Sequence, residues 1–504
     1  MAHILQDIKT LFSAAFQAAF GPEYAETDPV LRFSSEPKFG DLQANFAMQL
    51  AKSMGKPPRA LAEAVVKALP ANSSIASCEV AGPGFINIKL ADSYVGARVS
   101  ALVGDERCGI PAETELDTIA IDYSAPNVAK EMHIGHLRST IIGDALARVL
   151  AFQGHTILRR NHLGDWGTQF GMLIENLLDS NWNPDADHAI GDLNAMYQKA
   201  KQRFDADEVF AERARKRVVL LQAGDAETVK LWKALIEESK LHFAEIYRML
   251  GIGLAEEDYY GESFYNDMLP AVAEELSSKG IAVNSNGALC VFTDEITGRN
   301  NDPVPLIVRK SDGGYGYDAT DLAAIRHRIV DCGATRLIYV VGSPQSQHFA
   351  MIFAAAKKAG WLKDSVRAEH VSFGNILGAD GKPFKTRSGE SVKLLDVLTE
   401  AVERALALVR EKSAHIPEAE QREVAEAVGI GAVKYADLSN DRIKDYVFAW
   451  DRMLSFDGNT APYLQNAYVR IQSIFRKAEE QGLDTKGSLA DFSQPEERLL
   501  ALEL

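Results

Sequence analysis

The chain of 504 residues is 46% hydrophobic and 25% charged, the composition of a globular protein long enough for several domains. Its formal charge of −16 argues mildly against nucleic acid, although one local basic face would suffice, for which Arg213 to Arg217 and Arg442, Lys444 and Arg452 are weak candidates. No apolar run approaches membrane-span length, the pattern at 4–20 is broken by Asp7, Lys9 and Gln17 unlike a secretory signal, and Cys78, Cys108, Cys290 and Cys332 are scattered. A cytoplasmic protein with no membrane partner is expected.

Helical periodicity at 4–20 and 41–54 precedes an alternating run at 81–90 that starts from a Gly-Pro-Gly turn, which predicts a small α+β unit. The charged stretch 104–115 reads as a linker. A buried strand at 118–123, a helix at 136–152 with Leu137, Ile141, Ala145 and Val149 at helical spacing, and a strand at 156–160 then form a β-α-β unit, the first half of a parallel nucleotide-binding sheet. From about 175 to 300 the sequence is charged and mostly helical, ends in hairpin-like strands at 281–293, and is expected to be an insertion splitting the sheet domain. The sheet resumes at 304–309, followed by helix 318–331, strand 337–341, helix 346–359 and strand 370–373. Beyond 392 the pattern is helical, and it stops at Leu504 within an uncapped amphipathic pattern.

Chemistry concentrates where the strand at 118–123 hands over to the next helix. Pro126 forbids simple continuation of the strand, and His133 and His136 fall at the helix start. Unpaired N–H groups and the positive end of the helix dipole favour a phosphate there, while Gly135 lets a base or ribose approach the backbone. Imidazoles add donors to a charged phosphorane. An isolated His-x-x-His is more often a surface pair or half of a metal site, but the cysteines form no Cys-x-x-Cys pair to complete a metal site, and strand, turn, glycine and helix are all present. No protein-held metal is expected. Asp122 and Asn127 fall at the strand's end, where open α/β sheets bind ligands, and cap or turn roles would equally suit them. Tyr317 and Asp321 lie four apart on one helix face; by spacing alone they read as a packing residue and a first-turn carboxylate.

The block Asp122-Tyr-Ser-Ala-Pro-Asn-Val-Ala-Lys-Glu-Met-His-Ile-Gly-His-Leu-Arg-Ser-Thr140, followed by Asn161-His-Leu-Gly-Asp-Trp-Gly-Thr-Gln-Phe170, resembles the arginyl-tRNA synthetases, which are class I aminoacyl-tRNA synthetases. His133 to His136 match the HIGH motif of that class. The likeness extends from Phe39-Gly-Asp-Leu-Gln43 to Tyr463-Leu-Gln-Asn-Ala-Tyr468. It implies an α/β fold: a Rossmann-like parallel-sheet catalytic domain at 113–390 with an insertion at about 175–300, an appended α+β domain at 1–112 that contacts the outer corner of the tRNA, a helical connection at 391–440, and an α-helical anticodon-binding domain at 441–504, apparently truncated. It also implies L-arginine, ATP with Mg²⁺, and the tRNA for arginine as substrates and partners of a monomer. Tyr317 and Asp321 would then hold the guanidinium, Gln345 would be a further contact to arginine, and Asp122, Asn127 and, less strongly, Ser124 would hold the amino-acid end.

One departure stands out. Against the class's second signature, K-M-S-K-S, this chain has Gly381-Lys-Pro-Phe-Lys-Thr-Arg-Ser-Gly389, with Pro383 and Thr386 at the two lysine positions. The expected substitutes are Lys385 and Arg387 on the same loop and Lys130 ahead of the histidines. Two other readings compete. A small cytidylyl or adenylyl transferase using His-x-Gly-His would leave the N-terminal unit and the helical tail without a task, and a non-catalytic RNA-binding paralogue should have lost His133, His136, Tyr317 or Asp321, all of which are present.

Overall fold

The structure, a computed structural model, describes residues 2–182, 193–297, 302–384, 392–412, 417–485 and 492–504. It separates into two compact units, residues 1–111 with 474–504, and residues 112–473.

In the first unit, helix α1 (Ala2–Phe20) covers an antiparallel sheet of β1 (Leu31–Phe33), β2 (Leu42–Ala44), β3 (Ile75–Ala81) and β4 (Phe85–Leu90), ordered β1-β2-β4-β3, with α2 (Ala47–Met54), α3 (Pro58–Ala68) and α4 (Asp92–Leu102). The helix expected at 41–54 starts only at Ala47, and residues 42–44 before it form a strand. Leu42 and Ala44 alternate inward and pair with Ile88 and Ile86, and Gly40, at φ 83°, passes so close to Ile88 that a Cβ would lie 2.5 Å from its carbonyl oxygen.

The second unit holds the parallel sheet. β5 (Thr118–Asp122), α5 (Ile134–Gln153) and β6 (Thr156–Arg160) make the anticipated β-α-β unit. Helices α6 (Gln169–Asp179), α7 (Leu193–Ala206), α8 (Glu208–Gln222), α9 (Ala226–Leu250) and α10 (Leu269–Ser278) follow, then β7 (Ala282–Ser285), β8 (Ala288–Thr297) and β9 (Pro303–Arg309). Next come α11 (Tyr317–Arg326), β10 (Arg336–Tyr339), α12 (Ser346–Lys358), β11 (Arg367–His370), β12 (Ile376–Leu377), α13 (Leu394–Lys412), α14 (Glu418–Leu438), β13 (Tyr446–Val447), α15 (Trp450–Met453) and α16 (Ala461–Glu480). The last helix, α17 (Pro495–Glu503), belongs to the first unit, where Arg498 forks onto Asp41 at 2.7 and 2.8 Å.

The sheet order is β11-β10-β5-β6, all parallel. From β5 the chain crosses to β6 on one side and from β10 to β11 on the other, so the topological switch lies between β5 and β10, the place where such sheets open a crevice for ligands. Residues 304–309 do not resume this sheet. As β9 they pair antiparallel with β8, burying Leu306 and Val308 on one face, and the parallel sheet resumes only at β10. The helix expected at 318–331 is α-helical to Arg326 and then widens into a π turn at His327–Asp331. Beyond 392 the pattern is helical apart from β13, which pairs in parallel with β12.

The inserted sequence is built into both faces of the domain. Residues of α6 to α9 share one core with α5, α13 and α14, while α10 and the β7–β9 hairpin sheet share the other with α11 and α12. Close approach of α5 to the sheet depends on Gly143, where a Cβ would fall 2.2 Å from that of Tyr123. Under the same helix, buried Arg138 reaches Asp437 at 3.3 Å and the carbonyls of Gly374 and Lys444 at 2.8 and 3.1 Å, fastening α5 to α14 and to the residues leading into β12 and β13.

Candidate active site

After β5 the chain makes a loop that residues other than glycine rarely adopt: Ser124, Ala125 and Ala129 stand at φ 71°, 46° and 62°. Left-handed backbone of this kind costs on the order of 1 kcal/mol or more per residue and persists only where surroundings impose it. Here they do. The N–H groups of Ser124, Ala125 and Ala129 donate to Ser139 Oγ, Asn161 Oδ1 and Ser239 Oγ, each at 2.9 Å. Tyr247 Oη joins Ser124 Oγ at 2.7 Å and Asn161 Nδ2 at 2.9 Å.

The loop delivers His133 as the N-cap of α5. Its Nδ1 accepts the Gly135 N–H at 3.1 Å, and Nδ1 of His136 accepts the His133 N–H at 3.1 Å, a reciprocal cap made by two imidazoles. The rings lie 4.1 Å apart between centroids. Burial, then the charge of neighbouring His133, holds the His136 pKa down to about 3, and burial followed by the charge of Lys130 lowers that of His133. Both rings are therefore neutral near pH 7. With each Nδ1 accepting, the ring proton is on Nε2, so each histidine offers an N–H away from its own helix. Gly135 is exposed in the first turn, and a Cβ there would press on the His133 ring at 2.8 Å.

Asn127, Lys130, His133 and His136 line one cavity of about 320 Å³ with Glu131, Asn194, Tyr197 and Lys393. Lys130 Nζ stands 4.3 Å from the centre of the Tyr197 ring. Around the switch point a second, acidic group forms. Asp321, one turn into α11, accepts from His348 Nε2 at 2.6 Å; His348 Nδ1 is 3.4 Å from Asp318, and the Tyr317 ring is 5.2 Å from the His348 ring. Burial alone would lower the His348 pKa, but the hydrogen bond and charge of Asp321, with Asp318 beyond, raise it. Glu262 is pushed up to about 7 by burial and by the charges of Asp165 and Asp321. His162 approaches Asp321 at 4.0 Å and stacks on Tyr265. His162 Nδ1 and the Tyr339 hydroxyl are buried with no hydrogen-bond partner. Burial raises the proton affinity of Asp318 and Glu262, and together with the unspent polar atoms this makes the group able to take a cation that donates several hydrogen bonds.

The family model for the catalytic domain of class I tRNA synthetases (R) matches residues 98–450, and that for the arginyl-tRNA synthetase N-terminal domain matches residues 6–90. The chain belongs to the class I arginyl-tRNA synthetases. It is 53% identical to an arginine–tRNA ligase of Thermobifida fusca over 97% of this chain and 84% of that one, and 51% identical to one of Nostoc sp. over 94% and 81%. The crystal structure of arginyl-tRNA synthetase from Plasmodium falciparum superposes with a TM-score of 0.82 at 32% identity, covering 99% of this chain and 85% of the other. That from Thermus thermophilus, 23% identical, shares the fold with a TM-score of 0.78 over 99% and 85%.

Within this family frame the anticipated residues fall into separate groups. His133, His136, Lys130 and Asn127 converge on one cavity, and Tyr317 and Asp321 on the acidic group. Asp122 and Ser124 are buried and already engaged: Asp122 accepts from Arg328 at 2.6 Å, and Ser124 Oγ accepts from Thr140 at 2.9 Å. Gln345 is exposed at the start of α12. Lys385 and Arg387 lie outside the described residues. The cluster Arg213 to Arg217 is largely spent internally, with Arg213 and Arg217 on Glu175 at 2.9 and 2.7 Å. His162, His348, Glu262 and Arg328 were not anticipated. Only the Asn161-His block and the position of His348 three residues after Gln345 could have pointed to the first two.

Because His136 binds a proton far less readily folded, with a pKa of about 3, than at its ordinary 6.5, acid favours the unfolded chain. The stability is fully present above about pH 6.5 and is lost progressively as the pH falls toward 3, at a limit of about 1.4 kcal/mol per pH unit for one group. Urea unfolding midpoints between pH 6.5 and 4.5 should therefore fall less steeply for His136→Asn than for wild type. Parallel curves would remove His136 from the acid-labile set.

Proposed function

We propose that the crevice above β5 and β10 carries out both steps of arginine–tRNA ligation: the arginine carboxylate attacks the α-phosphorus of ATP to give arginyl-adenylate and pyrophosphate, and the terminal ribose of tRNA then takes the arginyl group with release of AMP. The observation that carries the reading is the pair of imidazoles at the N-terminus of a helix, each with Nδ1 accepting a backbone N–H of the cap, which leaves the ring proton on Nε2 to donate. Such donors gain strength as negative charge builds on the phosphoryl oxygens and need no reorganisation. The attacking carboxylate is ionised already, so no acid–base pair is required.

In this reading Asp321, held by His348, receives the guanidinium with Tyr317, Gln345 is a further contact to arginine, and Asp122, Asn127 and Ser124 form the amino-acid end of the pocket. Asp122 acts there with Arg328 already on one of its oxygens. Mg²⁺ enters with the nucleotide, where it would supply neutralisation of the departing pyrophosphate. Residues 1–112 are assigned to the outer corner of the tRNA and 441–504 to its anticodon arm, on a monomer in which one chain supplies the whole crevice. Among the described residues no helix is long and apolar enough to cross a membrane, which suits the cytoplasm.

Asp321→Asn removes one partner of a charge-assisted pair, an interaction of about 1.5–3 kcal/mol, so kcat/KM for arginine should fall about 10- to 100-fold while the KM for ATP stays near that of wild type. Equal weakening of both substrates in a folded variant would remove Asp321 from the arginine pocket. Lys130→Ala withdraws a preorganised cation from the nucleotide cavity, and single-turnover adenylate formation should slow on the order of 10² to 10³ with arginine binding little altered. A rate within a few-fold of wild type would make Lys130 an ordinary partner of Tyr197.

A further inference from the structure

The second signature leaves two lysine positions neutral, at Pro383 and Thr386, although the departing pyrophosphate still gathers negative charge. Two lysines line the histidine cavity. One is Lys130; the other, Lys393, follows the signature segment by a few residues.

Backbone pairing aims Lys393. Ile134 N–H donates to the Val392 carbonyl at 3.0 Å and Leu394 N–H to the Met132 carbonyl at 2.8 Å, so His133 and Lys393 are directly opposed in a short antiparallel bridge. Opposed residues whose flanking neighbours make the hydrogen bonds have the closer of the two antiparallel spacings, and their side chains project to the same face. The lysine stem therefore leaves the backbone beside the His133 ring. Its Nζ stands 2.7 Å from Glu131 Oε2, and the side chain is about one-third exposed at 36%. Lys393 also immediately precedes α13, at the positive end of a 19-residue helix, where a cation is disfavoured without an anion nearby, the place Glu131 fills here. The first turns of α5 and α13 thus meet at one bridge, each with a basic or donor side chain turned toward one cavity.

We propose that Lys393 is a catalytic cation of the activation step, its ammonium passing from Glu131 to the β- and γ-phosphate oxygens of ATP in the transition state. A carboxylate oxygen of arginine bonds to the α-phosphorus as the bond from that phosphorus to the α–β bridging oxygen breaks, the electron pair leaves on pyrophosphate, and Lys393 keeps its proton throughout. The inference rests on the ATP-site reading above.

The test is single-turnover adenylate formation by the full chain with ATP, arginine and tRNA. Lys393→Ala should slow the step on the order of 10² to 10³ with the KM for arginine within about three-fold, and Lys393→Arg should recover most of the loss. Glu131→Gln should cost far less than Lys393→Ala, whereas a lysine that serves only to pair Glu131 would make the two equally costly. Calorimetric titration of Lys393→Met, which keeps the apolar stem, with inorganic pyrophosphate should show binding at least ten-fold weaker than wild type. Wild-type rates in Lys393→Ala, equal losses in the two alanine and glutamine variants, or unchanged pyrophosphate affinity would each overturn the proposal. A wild-type chain that makes no adenylate but binds pyrophosphate through Lys393 would instead overturn the activation reading.

Discussion

The pair of hydrogen bonds that caps α5 sets the terms for everything around it. A helix start needs acceptors for its free N–H groups, and here Nδ1 of His133 and of His136 supply them. That choice fixes the tautomer and ties the orientation of both rings to the stability of a 20-residue helix. The strained loop before it, pinned through Ser139, Asn161 and Ser239, and the buried Arg138 beneath it are the means by which the rest of the fold holds this cap in place.

Electrostatics divides the crevice into two halves with opposite needs. The histidine side combines neutral donors, helix N-termini and lysines, an arrangement for phosphate. The α11 side sets Asp318 and Asp321 on one histidine, and burial followed by the charges of Asp165 and Asp321 raises the Glu262 pKa to about 7. An always-charged guanidinium relieves that repulsion and returns five N–H donors in a fixed fork. The assignment of the chain to the arginine enzymes rests on the family match over residues 98–450, and the two charge environments are what the proposed activation chemistry would draw on.

Legibility in the sequence followed periodicity. β5, α5 and β6 were readable because a buried strand, a proline-broken loop and a helical stripe follow one another within about forty residues. The segment 304–309 was not, since apolar alternation marks a half-buried strand without saying which sheet it joins, and its pairing with β8 is a long-range choice. Residues 41–54 misled because Leu42 and Ala44 fit a helix as well as a strand until Gly40 and Ile88 are seen to touch. In the site, motif residues could be read from spacing and resemblance, but His348 and Arg328, whose roles come from what they hold, become visible only when Asp321 and Asp122 are placed.

The most direct measurement is exchange of labelled pyrophosphate into ATP by the full chain, tried with each common amino acid, with and without tRNA. The account predicts exchange with arginine and tRNA together. Exchange driven by a different amino acid, or none with arginine from a folded chain that binds ATP and tRNA, would contradict it.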